Sequence, residues 1–281
     1  MKLLRTLICI LALAFAASAQ IKKAEPPAVK PDFGKSLQIV VVVTKDWNAI
    51  EGRARMFERS NTSSKWKADG EDFAVVVGRS GLAMAEARSG DASAKVKKEG
   101  DGNSPAGMFP LTEYFGTGSK LSAVEVHYTK LVEYTECVDD VRSHFYNRIV
   151  NRMQVGNFDW SSSEKMLAIG EQYNLGIFVG YNSYPVEKGL GSCIFLHIWK
   201  SPTDGTAGCT AMERRNLETL VAWAAPSQNS ISRTVSGGRV RKNRKSGICP
   251  SSNNARPDAG RIASARPLSG GVAARVHQQT R

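Results

Sequence analysis

The chain lacks any apolar run of about 20 residues, the length a helix needs to cross a bilayer, so no transmembrane segment is expected to remain after processing. It also lacks a Cys-x-x-Cys pair, and its four histidines (His127, His144, His197, His277) are widely scattered, which leaves a structural zinc site without a ligand set. No internal repeat is visible, and no natural cofactor has a signature. Negative charge is in short supply: 38 Lys and Arg stand against 26 Asp and Glu, a formal net charge of +12. A balance of that size invites a nucleic-acid or anionic-membrane reading, but its distribution argues otherwise. Residues 228–281 hold nine arginines and two lysines against Asp258 alone, and the rest of the chain is nearly neutral. No specific nucleic-acid partner is therefore expected.

What is present begins with a basic patch (Lys2, Arg5), a short apolar run from Thr6 to Ala16, and Ala17-Ser18-Ala19 where a signal peptidase would cut. Residues 1–19 read as a secretory signal, and the mature chain is expected outside the cytoplasm, in the periplasm or cell wall of a bacterium. Cys9 leaves with that segment. Cys137, Cys193, Cys209 and Cys249 remain, an even number that permits disulfides without choosing their pairing. Residues 20–36, with Pro26, Pro27 and Pro31 among lysines, read as a linker. From Leu37 the pattern becomes that of a folded domain, expected to end at Pro226. Beyond it, residues 227–281 read as a basic, low-complexity tail that resembles a translated shifted reading frame.

Within residues 37–226 the fold should be mainly β with a few short helices. The β-branched run Ile39–Val43 predicts a strand buried on both faces, and Phe73–Val77, Leu175–Tyr181 and Cys193–Trp199 predict further strands. Gly52–Arg59, Met108–Leu111 and Val124–Tyr128 give weaker strand patterns. Residues 97–107 carry too many turn formers for a regular element and read as a loop. Ser161–Tyr173 predicts a short helix, weakened by Gly170, and Glu213–Trp223 predicts an amphipathic one through Leu217, Leu220 and Val221.

The stretch from Gly191 to Met212 carries the chemistry. His197 closes an apolar strand, a polar loop with Pro202 and Gly205 follows, and Cys209 stands behind Gly208. Attack on an amide needs a thiolate, which a thiol with a pKa of about 8.5 supplies poorly at neutral pH without a base. His197 is the candidate base. Gly208 lets backbone approach the reacting carbonyl, so amides at Gly208 and Cys209 are candidate oxyanion donors, and Thr206 and Thr210 complete that turn. A helix starting near Glu213 would add its dipole if it pointed at the turn. Cys193, inside the apolar strand, reads as a packing residue.

His197 followed by Thr206-Ala207-Gly208-Cys209-Thr210-Ala211-Met212 resembles the signature of the L,D-transpeptidase catalytic domain, in the branch that carries this glycine-cysteine run. Two upstream blocks are similar to the same branch. One is Lys98-Glu99-Gly100-Asp101 with Ser104-Pro105-Ala106-Gly107 and Phe109-Pro110; the other is Tyr134, Cys137-Val138-Asp139-Asp140, Ser143 and Tyr146-Asn147. The resemblance implies a β-sandwich-like domain, a cysteine acyl-enzyme and peptidoglycan stem peptides as partner. Cys209 is then nucleophile and His197 base and later acid, while Asp139, Asp140, Tyr146 and Asn147 line or brace the pocket. The arginine that many members carry just after the cysteine is absent, with Arg214 and Arg215 as substitutes. The closing strand that members carry after this helix has no matching apolar run beyond Pro226, which predicts an open sheet edge. Two other function classes fit the sequence: a cell-wall binding module with a dead site, and an anionic-polymer binder acting through the basic tail. The sequence is silent on oligomeric state and on transfer versus hydrolysis.

Overall fold

The computed structural model describes residues 33–85, 95–119, 127–224 and 229–237. The expected signal segment, most of the expected linker, the Val124–Val126 part of one expected strand and the tail beyond residue 237, Cys249 included, lie outside them. In chain order the described elements are β1 (Gln38–Thr44), β2 (Glu51–Glu58), β3 (Lys67–Val76), β4 (Leu82–Met84), β5 (Ser104–Gly116), β6 (Tyr128–Lys130), β7 (Thr135–Val138) and β8 (Ile149–Asn151). They continue with α1 (Arg152–Val155), β9 (Ser163–Lys165), a 3-10 segment (Met166–Tyr173), β10 (Leu175–Val179), β11 (Phe195–Ile198), β12 (Thr210–Met212), α2 (Arg214–Trp223) and β13 (Ile231–Ser236). The protein is mainly β with a few short helices, as the periodicity predicts.

β1 is buried on both faces because it has a partner on each side: β2 antiparallel and β13 parallel. The main sheet runs β10-β11-β12-β3-β2-β1-β13-β5, and β5 also pairs with β10, so these eight strands close into a ring. That closure replaces the sandwich-like arrangement the resemblance implies. A separate three-stranded sheet, β8-β7-β9, stands beside it. Inside the ring Val40, Val42, Met56, Leu111, Ile177, Leu196 and Met212 pack with Leu217, Leu220 and Val221 of α2. Pleating sends alternate residues of β10 and β11 outward, where Phe178, Phe195, Phe115, Tyr173 and Cys209 form a second apolar cluster with Cys137 and Cys193.

Three expectations need correction. The chain does not end its domain at Pro226, because β13 pairs with β1 over six residues and with β5 over four, filling the place expected to be an open edge. The strand escapes apolar scanning because it buries Ser232, Thr234 and Ser236 next to Val40, Val42 and Thr44 of β1. Residues 104–107 are the start of β5, not loop, since Ser104–Ala106 pair with β4. The helix expected over Ser161–Tyr173 is instead β9 followed by the 3-10 segment, broken at Gly170, whose φ of 78° is open to glycine at little cost.

Candidate active site

β11 and β12 run parallel, with Leu196 opposite Thr210, His197 opposite Ala211 and Ile198 opposite Met212. Leu196, Ile198 and Met212 point into the ring, so His197, Phe195, Ala211 and Cys209 share the outer face. Strand spacing and a two-residue offset set the Cys209 and His197 backbones about 8 Å apart on that face. Gly176 of β10, opposite His197, makes room there: a Cβ at that position would lie 2.2 Å from the Phe115 ring.

The turn before β12 is tightly specified. Ser104 Oγ and Thr206 Oγ1 both donate to the Cys209 carbonyl, at 2.7 and 2.6 Å. The Gly208 amide donates to Thr206 Oγ1 at 3.1 Å. Gly208 itself has a φ of 155°, and a Cβ there would meet the Asn103 carbonyl oxygen at 3.2 Å. Thr206 thus helps build the turn, while the Gly208 amide expected to serve an oxyanion is already engaged. Thr210 is buried on the ring side, away from the sulfur. β12 intervenes between Cys209 and α2, so the helix does not begin at the active turn.

Cys209 is 5% exposed. Its Sγ accepts the Phe195 amide at 3.3 Å and donates to the Cys193 carbonyl at 3.5 Å. Desolvation drives its pKa well above the ordinary thiol range, with the Glu164 charge adding to the effect and the Phe195 amide opposing it. His197 is equally buried, and desolvation lowers its pKa to about 4. Its Nδ1–H donates to the Ile198 carbonyl at 2.8 Å, which fixes the neutral tautomer with a lone pair on Nε2. No hydrogen bond joins sulfur to imidazole, so the direct contact expected between them is not made in this arrangement. The resting pair is neutral thiol and neutral imidazole.

Tyr173 stands between the two. Its ring packs edge-on against His197 at 5.3 Å and against Phe195 at 5.5 Å. Its hydroxyl lies beside the Cys209 thiol and donates to Glu164 Oε2 at 2.6 Å. Glu164 is half-buried as a residue, but its carboxyl end is crowded, and desolvation with the nearby charges of Asp139 and Glu99 raises its pKa to about 7. An open cavity of about 470 Å³ lies on the other side of His197, lined also by Gln172, Lys200, Thr203, Asp204 and Thr206. Cys209 does not line it.

The remaining expected site residues divide. Asp140 is a structural hub: it accepts from the Arg142 guanidinium and amide and from the Ser161 amide and hydroxyl, which hold its carboxyl far below the usual range. Asn147, at a φ of 63°, donates to the Tyr181 and Asn182 carbonyls and accepts the Cys193 amide, fastening the loop that precedes β11. Tyr146 donates to Glu99 Oε2 and accepts the Gly191 amide at 3.1 Å. Asp139 faces the same acidic neighbourhood as Glu164, with one carboxylate oxygen buried and unpartnered. Of these four, Asn147 fastens the segment that carries Cys193, Tyr146 and Asp139 lie with Glu99 near Glu164, and the Asp140 carboxylate is tied to Arg142 and Ser161. Arg214 and Arg215 are exposed in the first turn of α2, and Lys200 is the basic residue at the cavity. Cys193 carries more than packing, because it is disulfide-bonded to Cys137 with a Cα separation of 6.0 Å.

Sequence reasoning missed Tyr173, Glu164 and Lys200. Only Lys200, three residues after His197, had a signal within reach. Among the described residues no group of three or more His, Cys, Asp or Glu could hold a metal ion, and no helix is long and apolar enough to cross a membrane. No protein-family model matches the sequence, and no curated relative does. Among solved structures the chain is similar to the helical cell shape determining protein Pgp2 from Campylobacter jejuni, at 16% identity and a TM-score of 0.32, over 73% of this chain and 52% of that one. The chain thus spans about half the length of that protein, and so distant a likeness leaves the functional reading to the residues themselves.

Proposed function

We propose that the protein is an exported cysteine acyltransferase or peptidase of the L,D-transpeptidase kind, acting on the peptide stems of peptidoglycan. One juxtaposition supports this most: the only free cysteine among the described residues shares an outward face of two adjacent parallel strands with a histidine whose Nε2 is a proton acceptor. The glycine turn, with two hydroxyls clamping the Cys209 carbonyl, fixes the direction in which the thiol is presented.

In this reading Cys209 Sγ turns from the Cys193 carbonyl toward the substrate, and its attack forms an S–C bond while the C–N bond to the departing amino acid breaks. His197 Nε2 takes a proton from an attacking group and returns one to the leaving nitrogen. The Cys209 amide, with the Gly208 amide already engaged, is the oxyanion donor. An amine or water then resolves the thioester. Incubation with tetrapeptide muropeptides tests the assignment: Cys209→Ala should abolish turnover, and a folded Cys209→Ala protein with full turnover would refute it. A carbapenem should add its mass to the wild type and not to that variant.

A further inference from the structure

The thiol in its resting position has a neighbour that the Cys/His reading does not use. Cys209 makes no hydrogen bond to His197, whereas Tyr173 packs in the same buried cluster as the sulfur, with its hydroxyl near enough to act on the thiol and itself committed to Glu164. A tyrosine hydroxyl has one proton. Since it is given to Glu164 Oε2 at 2.6 Å, a lone pair is left toward the sulfur. The three groups come from three places in the fold: Glu164 from β9 of the small sheet, Tyr173 from the end of the 3-10 segment and Cys209 from the turn before β12.

We propose that Tyr173 and Glu164 form a proton path out of the Cys209 thiol, in which the S–H turns from the Cys193 carbonyl and Tyr173 Oη accepts its proton while the tyrosine's own proton passes to the Glu164 carboxylate. The proposal rests on Cys209 being the reactive nucleophile. The step balances: Cys–SH, Tyr–OH and Glu–COO⁻ become Cys–S⁻, Tyr–OH and Glu–COOH, with no charge created or lost. When acylation forms the S–C bond and breaks the C–N bond, the proton returns by the same path to the departing nitrogen, in place of delivery from His197 Nε2 in that step. Glu164 ends the step ionised again, and His197, facing the open cavity, remains available to the resolving amine or water.

The surroundings favour this division. Glu164 faces Tyr173, Asp139 after β7, Glu99 from the loop before β5 and the Cys209 thiol; Lys97 from that same loop acts on Cys209. On the neighbouring residue Lys165 is held by Glu136 at 2.7 Å and does not neutralise Glu164. Desolvation, with the like charges of Asp139 and Glu99 adding to it, puts the Glu164 pKa at about 7, close to the pH at which a base is most useful, while desolvation leaves His197 at about 4, the weaker proton acceptor.

The experiment follows alkylation of Cys209 by iodoacetamide, site-resolved by peptide mass spectrometry on the full chain from pH 3 to 10. The wild-type rate should rise in a step with its midpoint near 7. Glu164→Gln should remove that step and slow alkylation at pH 8 about ten-fold or more, and Tyr173→Phe, which keeps the ring against His197, should do the same. A wild-type step near pH 4 instead would assign the base to His197 and overturn the proposal. So would a Glu164→Gln profile scaled by one factor at every pH, the mark of a packing role, or a Cys209 that stays unmodified throughout. The readout is independent of turnover, so a muropeptide activity that survives Cys209→Ala sinks the catalytic reading while the alkylation profile stands or falls by itself.

Discussion

At the scale of the residue, burial sets the chemistry of the site before any partner does. His197 is buried with a single carbonyl partner, and desolvation lowers its pKa from the ordinary 6.5 to about 4. Between those values the unfolded chain binds a proton that the folded chain does not, so stability rises with pH through that window and is lost as pH drops toward 4. The contribution is about 3 kcal/mol at full effect. His197→Gln should therefore flatten the acid limb of the urea-unfolding free energy between pH 4 and 6.5. Glu164 works in the opposite sense. Its folded pKa is raised, so stability is fully present below the unfolded value and falls as pH climbs through 7, and Glu164→Gln should raise the melting temperature more at pH 8 than at pH 5. Gly208→Ala puts a methyl 3.2 Å from the Asn103 carbonyl oxygen at a φ that suits glycine; it should cost about 1–3 kcal/mol and displace the sulfur, seen as lost stability together with slower Cys209 alkylation. The nucleophile, its candidate base and the glycine were legible because each residue type declares its chemistry and all three fall within one short stretch. Tyr173 and Glu164 were not, because nothing in a tyrosine or a glutamate far upstream announces that a 3-10 segment and a strand of the small sheet deliver them to the sulfur.

At the scale of the element, the least legible part of the fold is β13. Its sequence Ile-Ser-Arg-Thr-Val-Ser gives hydroxyl residues the inward positions, where they lie beside Val40 and Val42 of β1. Alternation was present, but its polar phase faced the core, the reverse of what a half-buried strand teaches one to look for. One hydroxyl on this strand has no partner: Ser236 Oγ is buried and unbonded. Ser236→Ala should stabilise the fold by about 1 kcal/mol, measured as a higher urea midpoint at unchanged m-value. The disulfide works between elements, tying β7 of the small sheet to the segment that leads into β11 across 56 residues. A loop of that length gives about 4 kcal/mol through restriction of the unfolded chain. The double variant Cys137→Ser, Cys193→Ser should lose most of this and loosen the wall from which the Cys193 carbonyl meets the thiol. By contrast β1, β10, β11 and α2 follow directly from apolar, β-branched and aromatic runs and a three-four repeat of Leu217, Leu220 and Val221, because in them local preference and tertiary burial agree.

At the scale of the whole molecule, closure of the sheet is what holds the site. β10 and β11 carry the aromatic wall and His197, β12 follows Cys209, and each is fixed in register only because the ring continues through β3, β2, β1, β13 and β5 back to β10. A chain stopped at Pro226 loses β13 and leaves β1 and β5 each with an unpaired edge. Such a chain should fail to show cooperative unfolding, whereas one extended to Gly237 should retain it; circular dichroism during urea titration separates the two. The sequence by itself determined a mainly β domain and one stretch with the residues for thiol chemistry, since strand preference and nucleophile identity are local properties. Tertiary structure alone decided that the sheet closes, that the thiol rests against Tyr173 and not His197, and that Glu164 stands behind it, because each depends on which distant strands share an edge and a face.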